Sequence, residues 1–356
     1  MTALATQSGY FNGMSALAQR SVKQPKNDAV PADYRALVCI FLLGGNDGNN
    51  LIVPNHNDAN VSNYAAYSAA RGAQGLALPQ ANLLPITVPR IGGLTYGMHP
   101  AMGTVTGGIN PGLHPLWATG KMAALTNVGT LVRPMTRAEY QSGTVPRPRQ
   151  LFSHTDQSNQ QMNANAGEVT MSGWGGRMSD KMSASNNPGR LVPTVNSIAG
   201  ERMFTIGEQM MPLAIGPAPT PLSSILALTG TTGTAAANAR YAALNGGFGL
   251  ASGNELEAAS NAIHREALVI AGSLNNSTDV TVAFPNTNIG NQLKQIARLI
   301  KNRTALSMNR QIFFCTLDGF DTHSGQLNAQ TGLFTQLSQA CRAFYDEMTA
   351  QSLGSK

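Results

Sequence analysis

Residues 35–45 read RALVCIFLLGG, a continuous apolar run that stops at two glycines and is followed by NDGNN. A run of this kind, without polar alternation, is typical of a strand buried on both faces of a parallel sheet. A second run, RQIFFCTLDGF at residues 310–320, has the same character and also ends at an aspartate and a glycine. The sequence therefore predicts two buried strands, each of which ends in a turn rich in acids and glycines.

The rest of the chain alternates short apolar runs with helical patterns. We predict a further buried strand at residues 121–129, two or three short strands between residues 191 and 216, and helices at residues 254–274, 291–302 and 332–348. Residues 148–165 are expected to be a loop that leads into another helix, with Ser153 or Thr155 placed to cap it. Strands that alternate with helices indicate an α/β fold, a three-layer sandwich with a mostly parallel central sheet.

Length and composition favour one large globular domain. The chain has 356 residues, of which 42% are hydrophobic and only 12% charged. We expect residues 1–33 to be a flexible lead-in or a signal-peptide remnant, and residues 34–356 to be the domain, with a helical insertion at about residues 218–290. The formal charge of +6 is not concentrated in a basic face with interleaved aromatics, so nucleic-acid binding is not expected.

The amino-terminal region bears on localisation. Ala16-Leu17-Ala18 is a small-x-small triplet of the type that signal peptidase cleaves, and it predicts a periplasmic or otherwise exported protein. If the triplet is accidental, the protein is cytoplasmic. No uncharged apolar stretch reaches the roughly 18 residues that a membrane-spanning helix needs, so no transmembrane segment is expected.

Candidate site residues follow the two predicted strands. Asp47 comes after the first strand, and Asp318, Asp321 and His323 come after the second. In an open α/β sheet, ligands bind beyond the carboxyl ends of the strands, so these side chains are expected at one crevice. Carboxylate and imidazole ligands suit Zn, Mn or Mg. Aspartate and glycine are also ordinary turn formers, which leaves a purely structural role as the alternative.

A third polar group lies in LFSHTDQ at residues 151–157. If a helix begins here, its first free N–H groups form an anion site beside the hydroxyl groups. A hydroxyl in that position could attack phosphorus or sulfur under metal activation. The alternative is an N-cap with polar neighbours and no chemical role.

Seven stretches occur in an order that resembles the bacterial family called domain of unknown function 1501. They are LVCIFLLGGNDGNNLIVP, YGMHPAM, LHPLWATGKMAALTNVG, SHTDQSNQQM, GWGGRM, QLKQIARLI and GFDTHSGQ. That family is similar to the alkaline phosphatase and sulfatase superfamily, whose fold is an α/β sandwich with a bimetal site at the strand ends. The resemblance implies a metal-dependent hydrolase of small anionic phosphate or sulfate esters, exported by the twin-arginine route. An exported member of the fold without catalysis, acting as a binding or surface protein, is the alternative.

The resemblance also implies roles for individual residues. Asp47 would be a metal ligand after the first strand, and Asp321 and His323 would together bind one metal. Ser153 would be the nucleophile, with Thr155 as the second choice. The metal would be Zn or Mn, with Mg or Ca as further options.

Family members continue past a helix such as residues 332–348 into a motif similar to Gly-Thr-Asp-His-Gly, which supplies further metal ligands. This chain stops at Lys356 without such a motif. The resemblance therefore implies that the carboxyl-terminal part of the fold is missing, either because the chain is a fragment or because its metal site is naturally incomplete.

Overall fold

The structure is a computed structural model that describes residues 33–168, 170–223, 233–250, 253–274 and 277–354. The predicted lead-in at residues 1–33, with its Ala16-Leu17-Ala18 triplet, lies outside these residues except for Asp33. Among the helices described, none is long and apolar enough to cross a membrane.

The larger sheet brings together the two runs that dominate the sequence. Its strands are β1 (Arg35–Leu42), β5 (Val195–Ser197), β6 (Leu213–Ala214) and β7 (Arg310–Leu317), and their order is β1, β7, β5, β6. All pairs are parallel, and β1 lies beside β7 from Arg35 opposite Arg310 to Leu42 opposite Leu317. The predicted α/β fold with a mostly parallel sheet is confirmed, and the two strands end at the same edge.

The sequence did not predict the smaller, antiparallel sheet. It contains β2 (Ile52–Pro54), β3 (Leu84–Val88) and β4 (Leu94–Met98), with β4 in the centre. These strands are short, and two of them carry a proline, at Pro54 and Pro85. Proline removes a backbone donor and argues against a strand, so the period-two pattern was too weak to recognise.

Helices pack on both faces of the larger sheet. The α-helices in the described part of the chain are α1 (Tyr64–Gly72), α2 (His114–Ala118), α3 (Arg137–Ser142), α4 (His154–Asn163), α5 (Trp174–Asn186), α6 (Ala235–Gly247), α7 (Glu255–Leu274), α8 (Asn288–Lys301) and α9 (Gln326–Ala350). Of these, α5 and α8 contact β7 of the larger sheet. Successive residues of β7 point to opposite faces. Phe313 is buried with Leu293 of α8, whereas Phe314 stacks on Phe204 in a second cluster that includes Trp174 of α5.

The predicted helices are confirmed. The patterns at residues 254–274, 291–302 and 332–348 correspond to α7, α8 and α9. Helices α6 and α7 lie within the predicted insertion at residues 218–290. Helix α7 reaches the main core, because Ile270 and Leu274 are buried in the same cluster as Phe313.

The strand predicted at residues 121–129 is wrong. These residues have no strand structure and are almost entirely exposed. The run is apolar enough for a buried strand, but within the described part of the chain no other strand pairs with it. The prediction that β1 is buried on both faces is also wrong, because β1 lies at the sheet edge and is half-buried.

The GWGG stretch at residues 173–176 permits close packing at the start of α5. A Cβ on Gly173 would lie 1.9 Å from the Met203 carbonyl oxygen, and one on Gly176 would lie 2.2 Å from the Ile206 carbonyl carbon. The helix therefore rests directly on the backbone of residues 203–207. This approach sets Trp174 edge-on against Phe204, with ring centroids 4.5 Å apart.

Candidate functional site

The turns after β1 and β7 lie against each other. The Leu43 N–H donates to the Leu317 carbonyl at 3.0 Å, and the Phe320 N–H donates to the Leu43 carbonyl at 3.1 Å. Gly44 has φ of +101°, and a Cβ there would lie 2.6 Å from the backbone nitrogen of Asp321. Glycine at this position therefore lets the first turn reach the second.

Two imidazoles and one carboxylate meet at this edge. Asp321 Oδ1 lies 3.0 Å from Nε2 of His323 and 3.5 Å from Nε2 of His154. We call His154, Asp321 and His323 the imidazole–carboxylate cluster. All three side chains are exposed, and His154 packs over Gly45, where a Cβ would lie 3.2 Å from its ring carbon Cε1. The cluster therefore joins the β1 turn, the β7 turn and the start of α4.

Ser153 is the N-cap of α4. It has extended backbone dihedrals, its Oγ accepts from the Asp156 N–H at 3.3 Å, and its hydroxyl donates to Asp156 Oδ2 at 2.6 Å. Thr155 is the second residue of the helix and is exposed. Of the two predicted caps, the structure assigns the role to Ser153, which is adjacent in sequence to His154 of the cluster.

Both carboxylate oxygens of Asp47 have partners within the protein. It forms an ion pair with Arg71, accepts from Nε2 of Gln326 at 2.6 Å and accepts from the Asn49 N–H at 3.1 Å. Only 19% of its side chain is exposed. A metal ion at Asp47 would have to displace the Arg71 guanidinium, so this carboxylate fits a metal less well than Asp321 does.

A buried polar network lies beneath the NDGNN turn. The Tyr67 hydroxyl donates to Asn50 Oδ1 at 2.8 Å and accepts from the Leu78 N–H at 2.9 Å. Gln330 of α9 accepts from Asn50 at 3.3 Å and donates to the Asp47 carbonyl at 2.9 Å. These bonds attach α1 and α9 to the end of β1.

Sequence reasoning missed Arg71, Gln326 and Gln330, and it left His154 without a role. The first three carry no local signal, because they meet the NDGNN turn only through the fold. His154 could have been singled out, since it lies between two candidate hydroxyls in SHTDQ. Asp318, for which the resemblance implied no role, is exposed at the start of the β7 turn.

Two other histidines lie away from the cluster. His99 is buried, and its Nδ1 accepts from the Ala101 N–H at 3.1 Å, which caps the turn that follows β4. Burial lowers the pKa of His99 to about 4, so its ring is neutral near pH 7. Nε2 of His114 lies 3.0 Å from the Pro85 carbonyl oxygen. Both rings therefore anchor loops.

The imidazole–carboxylate cluster matches a metal site in donor type. One carboxylate and two imidazoles are a donor set that Zn and Mn accept. In the part of the chain that the structure describes, however, no group of three or more His, Cys, Asp or Glu side chains is arranged so that it could hold a metal ion. Both Nε2 atoms contact Oδ1 directly, so an ion would have to separate them.

Comparison with known proteins found no relative of this chain. No family model, no curated protein and no solved structure matches the chain. The resemblance to domain of unknown function 1501 is therefore supported by the seven ordered stretches alone.

Replacing Gly44 with alanine is expected to lower the free energy of unfolding by about 2–3 kcal/mol, because a Cβ at positive φ would collide with the Asp321 backbone. Chemical denaturation of the two proteins measures the difference. Gly48 is a matched control in the same turn, because a Cβ there meets no atom within 4 Å. If Gly44→Ala is as stable as Gly48→Ala, the close contact between the two turns is contradicted.

Proposed function

We propose that the chain is a metal-dependent hydrolase of small anionic phosphate or sulfate esters, with its active site where β1 and β7 end and α4 begins. The observation that carries the proposal is that His154, which directly follows Ser153, the N-cap of a ten-residue helix, lies 3.5 Å from the same Asp321 oxygen that His323 contacts at 3.0 Å. The first N–H groups of such a helix attract anions, because they have no partner within the helix and lie at the positive end of its dipole. At α4 one of them, the Asp156 N–H, already donates to Ser153 Oγ.

Ser153 is the proposed nucleophile. Its hydroxyl already donates to Asp156 Oδ2 at 2.6 Å, which gives the proton an acceptor. In the proposed reaction the Ser153 oxygen forms the bond to phosphorus or sulfur, its proton passes to Asp156, and the ester oxygen leaves. Water then releases the phosphate or sulfate. Thr155, which is exposed and does not cap the helix, is the less favoured nucleophile.

Asp321, His323 and His154 are the proposed metal-binding residues, and a bound ion would replace the direct contacts that both imidazoles make with Asp321 Oδ1 in the structure. Zn or Mn suits this donor set best, with Mg or Ca as further options. A bound divalent ion would supply Lewis acidity by neutralising charge on the ester oxygens. We assign Asp47 a positioning role, because its contacts with Arg71 and Gln326 orient the start of α9 beside the cluster.

Membership in the family called domain of unknown function 1501, with its alkaline phosphatase-like fold, is part of the proposal. Its support is the order of the seven stretches, together with the parallel pairing of β1 and β7 that brings two of them to one edge. Export to the periplasm rests on the Ala16-Leu17-Ala18 triplet.

A second candidate function is a binding or surface protein that keeps the fold without catalysis. The observation that favours it is the ion pair between Asp47 and Arg71, because the guanidinium then occupies the position that a metal ion would take beside the NDGNN turn. Metal content separates the two candidates, since only the hydrolase requires a bound divalent ion.

Turnover of an aryl phosphate or an aryl sulfate should depend on added Zn or Mn, and metal analysis should find a bound ion in the purified full chain. Asp321→Asn removes the shared carboxylate charge and is expected to lower both metal content and turnover at least about tenfold. Asp58→Asn, a change at a half-buried loop aspartate that accepts from the Asn60 N–H, serves as the control. Absence of bound metal and of turnover in the unmodified chain would favour the binding protein.

A further inference from the structure

Residues 121–152 form a surface that is both apolar and basic. Leu125, Val128 and Phe152 are 89%, 79% and 94% exposed, and Leu131 is 55% exposed. Large apolar side chains this exposed cost free energy in water unless they meet a partner. We call this region the 121–152 surface.

The basic residues of this surface outnumber the acidic ones. Glu139 is its single acidic residue, and its basic residues are Lys121, Arg133, Arg137, Arg147 and Arg149, all of them exposed. The excess of positive charge would attract an anionic partner.

One side chain holds the apolar and the basic parts together. Gln157 of α4 accepts from the Thr130 hydroxyl at 2.8 Å and donates to the Arg149 carbonyl at 3.1 Å. The loop that contains Leu125, Val128 and Leu131 therefore lies beside the segment that contains Arg149. The two parts form one continuous surface at the amino end of α4.

We propose that the 121–152 surface docks on an anionic lipid bilayer. Residues 121–132 have no regular secondary structure, and they expose Leu125, Val128 and Leu131 on a surface where basic residues outnumber acidic ones. A bilayer accepts protruding side chains of any shape, because its acyl boundary is fluid, while its headgroups pair with the flanking cations. The proposal does not depend on the hydrolase activity.

Sedimentation of the full chain with vesicles tests the docking. The chain is expected to bind vesicles of phosphatidylglycerol and phosphatidylcholine in equal parts, and to bind pure phosphatidylcholine at least about tenfold more weakly, since each basic residue near an anionic surface contributes about fivefold. Binding should weaken with added salt. Equal binding to both vesicles, or no binding to the mixed vesicles, overturns the proposal.

Two sets of variants localise the contact. Leu125→Ser with Val128→Ser and Phe152→Ser should reduce binding at least about tenfold, because the inserted apolar area is lost. Arg133→Gln with Arg149→Gln should also reduce it at least about tenfold. These side chains are exposed, so thermal unfolding should be unchanged and a loss of fold would not account for the result.

Matched controls come from exposed residues elsewhere on the chain. Leu256 is 82% exposed and is flanked in sequence by two glutamates, so Leu256→Ser should leave vesicle binding unchanged. Arg90→Gln with Arg265→Gln removes two exposed charges outside the 121–152 surface. This variant should weaken vesicle binding much less than Arg133→Gln with Arg149→Gln does. Equal losses in the controls overturn the docking surface. If the unmodified chain does not bind vesicles but self-associates, and the triple serine variant does not self-associate, the 121–152 surface is a protein interface instead.

Discussion

Replacing Ser153 with asparagine is expected to lower the turnover of an aryl phosphate or aryl sulfate at least about a thousandfold, because the proposed nucleophilic oxygen is removed. Asparagine is as good an N-cap as serine, so the free energy of unfolding should stay within about 0.5 kcal/mol of the parent. Initial rates with saturating metal and chemical denaturation measure the two effects. Their separation distinguishes a chemical role of Ser153 from its capping role.

Three further variants sharpen this test. Ser153→Ala should lose the same turnover and also about 1 kcal/mol of stability, since the cap is removed. Thr136→Ala removes the capping box of α3, so it should lose similar stability without losing turnover. Thr155→Ala examines the alternative nucleophile. If Thr155→Ala is inactive and Ser153→Asn is active, the nucleophile is Thr155.

Replacing Glu347 with alanine is expected to lower the free energy of unfolding by about 3–4 kcal/mol. The Glu347 side chain is fully buried on α9, and its Oε2 accepts from the N–H groups of Thr281 and Val282, both at 2.9 Å. Its Oε1 accepts from Gln351 at 2.9 Å and lies 3.6 Å from Nζ of Lys301. Alanine would leave these buried donors unpaired and detach residues 281–282 from α9. Chemical denaturation measures the loss.

Two comparisons isolate the role of the charge. Glu347→Gln keeps the shape and one acceptor oxygen, so it should cost about half as much. Asp346→Ala, at the neighbouring and more exposed position, removes an i,i+4 ion pair with Arg342 and should cost no more than about 0.5 kcal/mol. If Asp346→Ala and Glu347→Ala lower the free energy of unfolding by similar amounts, the stabilising role of the buried Glu347 carboxylate is contradicted.

The same carboxylate should make stability depend on pH. Burial is the largest influence and opposes ionisation, but the hydrogen bonds from Val282, Gln351 and Thr281 together lower the pKa of Glu347. A lowered folded-state pKa means that the unfolded chain binds the proton more readily. The stabilisation from Glu347 is therefore present above the ordinary carboxyl range and is lost as the pH falls through the lowered pKa. Glu347→Gln should remove that part of the acid dependence.

The success of the sequence interpretation followed the strength of the local pattern. Residues 35–45 and 310–320 carry long β-branched and aromatic runs, and helices α8 and α9 carry a clear apolar stripe, so their existence could be read from the chain. The antiparallel sheet could not be read in this way, because β2 has only three residues and includes Pro54. Residues 121–129 show the opposite failure. A run can be apolar enough for a strand and still find no partner strand.

The candidate site divides in the same way. Ser153 and Thr155 were recognisable as candidate N-caps because capping depends on the next three residues, and the structure assigned the cap to Ser153. The pairing of Asp47 with Arg71 and Gln326 was not recognisable, because those partners come from α1 and from the start of α9, 24 and 279 positions away. Sequence also gave no sign that His154 and His323 share one carboxylate oxygen.

The sequence alone determined that β1, β7 and α4 exist, and that acids, glycines and a serine follow or precede them. These features depend on near neighbours, through apolar runs, glycine turns and capping. Only the tertiary structure decided which polar residues meet. Parallel pairing of β1 and β7 brings their ends to one edge of the sheet, and Gly44 lets the two turns contact each other. Arg71 pairs with Asp47, whereas Asp321 lies beside two imidazoles. Such contacts depend on how distant segments pack, because the free energy that fixes them comes from burial and hydrogen bonding across the fold.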